Sequence, residues 1–161
     1  MAAAGFTLRR YRASDEDAAI ALWQRTWQAA YPHIDFAARV EWWRQRWRAE
    51  LVPTAAIAVA ENAGKIIGFV TVDPRSLYLD QLVAAPEHWG SGLGAALIAE
   101  AQRLSPAGLD LDVNVDNARA IGFYAKQGFA ITGAGKNPIS GKPVHRMSWR
   151  ADAKPAAAHA P

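Results

Sequence analysis

Between an apolar strand and an apolar helix, the chain places three glycines at alternate positions. The segment reads Asp80-Gln81-Leu82-Val83-Ala84-Ala85-Pro86-Glu87-His88-Trp89-Gly90-Ser91-Gly92-Leu93-Gly94-Ala95-Ala96-Leu97-Ile98. Glycines at such spacing let the backbone take up conformations closed to other residues and pass close to a ligand. The amides they free, with those of the helix's first turn, form a nest of donors at the positive end of the helix dipole. Two familiar phosphate loops are excluded. A Walker A loop needs Lys-Ser/Thr after its last glycine, whereas Gly94 is followed by Ala95-Ala96. A dinucleotide fingerprint needs its third glycine three residues after the second, whereas Gly92 and Gly94 are only two apart. Taken alone, the turn is equally compatible with a tight strand-to-helix connection that binds nothing.

Downstream, Leu109-Asp110-Leu111-Asp112-Val113-Asn114-Val115 alternates as a strand and leads into Asp116-Asn117-Ala118-Arg119-Ala120-Ile121-Gly122-Phe123-Tyr124-Ala125-Lys126-Gln127-Gly128-Phe129. Asn117 is a natural helix N-cap, and Gly128 suits the left-handed residue that ends a helix. Ala118, Ile121 and Ala125 fall on one helical stripe, expected to face the core. With the glycine turn and this Asn117, Phe123-Tyr124, Gly128-Phe129 arrangement, the chain over roughly residues 6 to 150 resembles the GNAT superfamily of acyl-coenzyme A-dependent N-acyltransferases. The resemblance implies an α/β (α+β) fold, with a mixed, mostly antiparallel sheet of six to seven strands flanked by helices. It also implies acetyl-coenzyme A as cosubstrate, no metal, and direct transfer of the acetyl group to a primary amine.

Site residues follow by resemblance. Trp89, Gly90, Ser91, Gly92, Leu93, Gly94 and Ala95 would hold the pyrophosphate. Leu82, Val83 and Ala84, through backbone groups at a splayed strand end, would hold the pantetheine and polarise the acyl carbonyl. Trp89 stands where the family has Gln or Arg, so a side-chain donor is missing and Trp89 is expected to pack on the helix or cover the ligand. Asn117 would bond the pantetheine while capping its helix, and Tyr124 would protonate the leaving sulfur. Tyr124 is otherwise a half-buried packing residue. The first choice for general base is Asp80, whose alternative is a solvated or ion-paired aspartate. Strand alternation from Leu77 puts Tyr78, Asp80 and Leu82 on one face and Leu77, Leu79 and Gln81 on the other. Asp110 and Asp112 could replace Asp80; His88 and His145 are candidates by residue type but read as surface or structural.

Other segments supply the frame. Phe6–Tyr11 alternates as a strand; Ser14 with Asp17 forms a capping box for a helix to about Ala30, ended by Tyr31-Pro32. A second helix spans about Asp35 to Glu50. Ala55–Ala60 and Lys65–Val72 are strands joined by a Glu61–Gly64 hairpin turn, and closing strands lie near Phe129–Thr132 and Val144–Trp149. Trp23, Trp27, Trp43 and Trp47 read as core, although with Tyr31 and Trp42 they could line an aromatic acceptor pocket. His33 and Asp35, in the connecting loop, could greet a cationic amine.

A length of 161 residues with 51% hydrophobic content suits one domain, 1–150, followed by a disordered tail, 151–161. The absence of cysteine excludes disulfides, thiolate zinc sites and a cysteine nucleophile. No apolar run reaches membrane-spanning length and the N-terminus is too short for a signal peptide, so a cytoplasmic location is expected. The net charge of +3 is scattered, which argues against nucleic acid. The acceptor could be a small molecule or a peptide or protein amine, and a homodimer through the closing strands is compatible. Two other readings remain: a catalytically silent acyl-coenzyme A sensor or partner-binding module on the same fold, and a nucleotide-binding protein.

Overall fold

The computed structural model describes residues 5–151. The expected tail lies outside the described residues, apart from Ala151. The elements are β1 (Thr7–Arg10), α1 (Glu16–Ala30), α2 (Val40–Arg46), β2 (Ala56–Asn62), β3 (Lys65–Asp73), β4 (Tyr78–Ala84), α3 (Leu93–Leu104), β5 (Gly108–Asn114), α4 (Ala118–Lys126), β6 (Ala130–Lys136) and β7 (Pro143–Arg150). They build one seven-stranded sheet in the order β1-β2-β3-β4-β5-β7-β6. Every neighbouring pair is antiparallel except β4–β5.

β3 is buried without a break from Ile67 to Val72, as expected of a central strand covered on both faces. Its alternation sorts the helices into two layers. A Cβ on Gly68 would meet Leu93 and Leu97 of α3, whereas Phe69, on the opposite face, meets the Trp47 ring edge-on at 5.3 Å. Trp47 also donates its indole N–H to the Tyr11 hydroxyl, at 3.0 Å. The helical run that carries it continues past α2 through a π turn, Trp47–Leu51, and a last turn, Val52–Thr54, four residues beyond the expected end. Trp23 of α1 stacks on Trp43 of α2 at 4.7 Å and 8°. Trp23, Trp43 and Trp47 are therefore core, as expected, while Trp27 is only half-buried and Trp42 is 45% exposed.

Three local expectations need correction. Ser14 and Asp17 do not cap α1. The chain enters through a 3-10 turn, Ala13–Asp15, and it is Asp15 that accepts the Arg12 amide, at 2.8 Å. Asp15 is also gripped by both terminal nitrogens of Arg9, so the more deeply buried carboxylate displaced the sequence signal. In α4, Ala118 and Ala125 are exposed, and Ala120, Ile121, Phe123 and Tyr124 pack against the core. β4 begins only at Tyr78, because Leu77 takes a left-handed φ of 68°. The hairpin after β2 turns on Ala63 and Gly64, with φ of 54° and 79°.

Glu16, at the head of α1, ties the two helices together: it accepts from Arg48 at 2.6 Å and from Arg44 at 2.6 Å. Those guanidiniums, Arg48 foremost and then Arg44, hold its carboxyl down at about 2, against an ordinary 4.5. Because the unfolded chain takes up this proton first, the stabilisation is complete above pH 4.5 and is lost as pH falls toward 2. Urea midpoints measured across that window will therefore fall with pH, and Glu16→Gln will flatten the slope. A slope unchanged by Glu16→Gln would refute the assignment.

Candidate active site

β4 and β5 stay together for one step. Tyr78 pairs with Asp110, and the Asp110 amide reaches the Leu77 carbonyl at 2.8 Å; beyond this the strands part. Immediately past the paired step the β3–β4 register slips: Val72 faces Leu79 and Thr71 faces Gln81, which leaves Asp80 as an extra residue. A bulge of this kind bends its strand and raises the local twist, so β4 swings away from β5. The opening continues into a cleft of about 1080 Å³, lined by β4 and β5, by the start of α3 and the length of α4, and by α1, α2 and the β6–β7 loop.

One end of the cleft is the glycine turn. Gly90 and Gly92 hold φ of 82° and 94°, values open to glycine and costly for other residues. Among the hydrogen bonds of the described residues, the amides of Gly92, Leu93, Gly94 and Ala95 have no acceptor; the first backbone bond of the helix runs from Ala96 to Gly92. Gly94 serves packing as well, since a Cβ there would lie 3.1 Å from the Phe123 ring. Trp89 turns back and donates its indole N–H to the Ala84 carbonyl at 2.8 Å. The Arg119 guanidinium lies 4.3 Å above the Trp89 ring and belongs to no ion pair among the described residues. Nothing local in the sequence marks this pair, whose members lie 30 positions apart.

α4 starts as the sequence indicates: Asn117 Oδ1 accepts the Ala120 amide at 3.1 Å. Its last turn closes on Gly128, φ 95°, with the Phe129 amide bonded to the Tyr124 carbonyl. Tyr124 lines the cleft, edge-on to Phe123 and Phe129. Desolvation pushes its phenol up to about 12, and no described side chain bonds its hydroxyl.

At the other end Asp80 lines the cleft, with both oxygens engaged by Arg46, at 3.0 and 2.5 Å. Arg46 also bonds Glu50 at 3.2 Å and lies over Trp43. The bulge overturns the alternation expected of β4. Gln81, expected on the opposite face, donates its Nε2 to Asp80 Oδ1 at 3.0 Å and lines the same cleft. Of the alternative carboxylates, Asp112 lines the cleft and is held by Arg146 at 2.8 Å and the Tyr78 hydroxyl at 3.2 Å. Asp110 does not line it and pairs with Arg150. His88 lines the cleft, whereas His145 does not. His33 and Asp35, expected near the acceptor, are exposed and away from the lining; Asp35 instead accepts the Ala38 amide at 3.3 Å. Tyr31 bridges the opening, its hydroxyl accepting from Asn114 at 3.0 Å.

Residues 16–129 match the model of the acetyltransferase (GNAT) family. The peptidyl-lysine N-acetyltransferase YjaB of Salmonella typhimurium is 32% identical over 137 residues, covering 84% of this chain and 91% of that protein. The peptidyl-lysine N-acetyltransferase YiaC of Escherichia coli is 31% identical over 147 residues, covering 88% and 95%. Among solved structures, PaiA N-acetyltransferase from Thermoplasma acidophilum in complex with coenzyme A shares the fold. Its TM-score is 0.70 at 20% identity, over 90% of this chain and 98% of that one.

The turn's conformation has a direct test. A Cβ on Gly92 would meet nothing within 4 Å, so Gly92→Ala meets no clash and isolates the backbone strain. It should lower unfolding stability by about 1–2 kcal/mol, read as a lower urea midpoint at unchanged m-value. An unaltered midpoint would show that the turn does not need the left-handed residue.

Proposed function

We propose that this chain, which belongs to the GNAT family of acetyltransferases and transfers acetyl groups from acetyl-coenzyme A to amines, takes the lysine side chain of a peptide or protein as its acceptor. The observation that carries the cosubstrate end of this reading is the row of amides from Gly92 to Ala95, unbonded among the described residues, at the head of a helix whose Gly92, Gly94 and Ala95 line the same cleft as Tyr124. Such a row suits a pyrophosphate. The acceptor rests on the two peptidyl-lysine acetyltransferases at 31–32% identity. It also fits the open aromatic end of the cleft, where Trp42 remains exposed.

Acetyl-coenzyme A supplies the acetyl group as a thioester. Everything else falls to the chain. The turn residues Gly92 to Ala95 bind the pyrophosphate through their free backbone amides, and Arg119 replaces the side-chain donor that Trp89 does not supply. Stacking on the indole holds the guanidinium at the turn while leaving its N–H groups free. The β4 backbone at Leu82–Ala84, released from β5 by the splay, offers hydrogen-bonding groups to the pantetheine. Asn117 spends its Oδ1 on the helix cap and keeps its Nδ2 as a donor. As the amine nitrogen bonds to the acyl carbon and the carbon–sulfur bond breaks, the Tyr124 hydroxyl gives its proton to the sulfur. The proton lost by the amine nitrogen restores it, so the reaction needs no net proton. The Tyr124 phenol, pushed up to about 12 by burial, is protonated at neutral pH and so carries the proton that this step needs.

Two substitutions separate binding from chemistry. Tyr124→Phe should lower kcat on a lysine peptide by about 10²-fold or more with calorimetric binding of acetyl-coenzyme A unchanged; undiminished turnover would remove Tyr124 from the chemistry. Arg119→Ala should weaken acetyl-coenzyme A about tenfold, equivalent to about 1.4 kcal/mol, and leave a pantetheine fragment unaffected. Mass spectrometry of a lysine peptide, its Lys→Arg counterpart and a free polyamine, each incubated with enzyme and acetyl-coenzyme A, tests the acceptor. Acetylation of the polyamine but of neither peptide would overturn the lysine assignment.

A further inference from the structure

We infer that the acceptor mouth of the cleft selects a lysine with an acidic residue beside it in the peptide, and that the carboxylate of this neighbour pairs with Arg39. The inference rests on the peptide-lysine reading above and names the class of sequence that the same site takes.

Arg39, Trp42 and Arg46 follow one another at helical spacing, three and four residues apart, and all three line the cleft. The two arginines differ in their surroundings. Arg46 is neutralised by Asp80 and Glu50. Arg39 is half-buried, its guanidinium lies 5.3 Å over the Phe36 ring, and its side chain makes no ion pair or hydrogen bond among the described residues. Phe36 also lines the cleft, so the guanidinium is held at the cleft wall. Stacking on a ring leaves the N–H fork of an arginine free for a carboxylate.

From Arg39 a row of rings runs to a second cation. Phe36 packs on Trp27 at 6.3 Å, Trp27 stacks on Tyr31 at 5.8 Å, and the Lys142 ammonium of the β6–β7 loop lies 5.9 Å from the centre of the Tyr31 ring. All of these residues line the cleft. The aromatic row thus carries a positive charge at each end, and the acidic contact of Lys142, with an exposed Asp116, is long at 3.8 Å. No lining carboxylate offsets them. Glu50, Asp80 and Asp112 line the cleft, and each is met by an arginine. A polyamine would bring further positive charge to this wall, whereas an acidic side chain next to the acceptor lysine would meet an unpaired guanidinium. Complementarity of this kind acts chiefly on the choice of partner and its register.

The test is steady-state kinetics at low salt on three peptides that differ only in the residues flanking one lysine, which are Glu, Gln or Lys. For the wild-type enzyme kcat/KM should be about fivefold higher on the Glu-flanked than on the Gln-flanked peptide, the span of one partly exposed ion pair, and the ratio should shrink in high salt. Arg39→Gln should bring that ratio near one, Arg39→Lys should retain it, and Arg39→Glu should turn the preference toward the Lys-flanked peptide. The calorimetric Kd of acetyl-coenzyme A should stay within twofold throughout. Circular dichroism identifies any variant that fails to fold, and the remaining Arg39 variants then carry the comparison. Equal kcat/KM on the three peptides, or a Glu preference that survives Arg39→Gln, overturns the inference and leaves the proposed function standing. A loss confined to acetyl-coenzyme A binding would assign Arg39 to the cosubstrate and overturn it likewise. Acetylation of free lysine, which carries its own carboxylate, but of no peptide would overturn the proposed acceptor, and this inference with it.

Discussion

The parting of β4 from β5 is the constraint on which the site depends. A sheet paired along its whole width would bury the β4 backbone in hydrogen bonds and leave no room between α1 and α4. Here a single extra residue, Asp80, lies two positions past the one paired step, and the bend it introduces opens the sheet. The glycine turn then extends the same strand into α3, so the opening ends on a row of unbonded amides. Two defects in regular structure, a bulge and a left-handed turn, thus lie at opposite ends of one strand and define the two ends of one cleft.

Such a defect needs a rigid surround. On one face of β3 the leucines of α3 lie against Gly68, and on the other Trp47 and Phe69 pack edge to face. Trp23 and Trp43 stack between α1 and α2, and Glu16 ties the same helices through Arg44 and Arg48. Arg46 carries that rigidity to the site, since it lies over Trp43 and clamps Asp80. The tryptophan-rich segment therefore has two roles: its buried members hold the helices, and the arginine and exposed tryptophan beside them shape the cleft wall.

Charge is handled sparingly along that wall. Asp80 and Asp112 are each met by an arginine, so the carboxylates that sequence reading offers as bases lie in ion pairs. Arg119 is the contrasting case: it is stacked on an indole and unpaired among the described residues, an arrangement that keeps a cation available to an anionic ligand. Trp89, whose indole N–H is spent on the Ala84 carbonyl, is the platform for that cation.

Part of this was legible from residues alone. The glycine turn, the Asn117 cap and the Gly128 stop could be read because each is a local backbone demand that few residue types satisfy, and their order along the chain led to the family. The Ser14–Asp17 cap and the stripe of α4 misled, because a buried carboxylate and the packing of Phe123 on Gly94 outweighed short-range pattern. The placement of Gln81 beside Asp80 and the stacking of Arg119 on Trp89 were not legible, because one follows from a slip in strand register and the other joins residues 30 positions apart. The sequence by itself determined where the chain must turn, cap and stop, since φ preferences and hydrogen-bonding caps are properties of single residues and their neighbours. Only the tertiary structure decided that Gln81 lies beside Asp80, which carboxylates are met by arginines and that Arg119 stacks on Trp89. A one-residue slip in strand register and contacts between distant segments have no short-range signature.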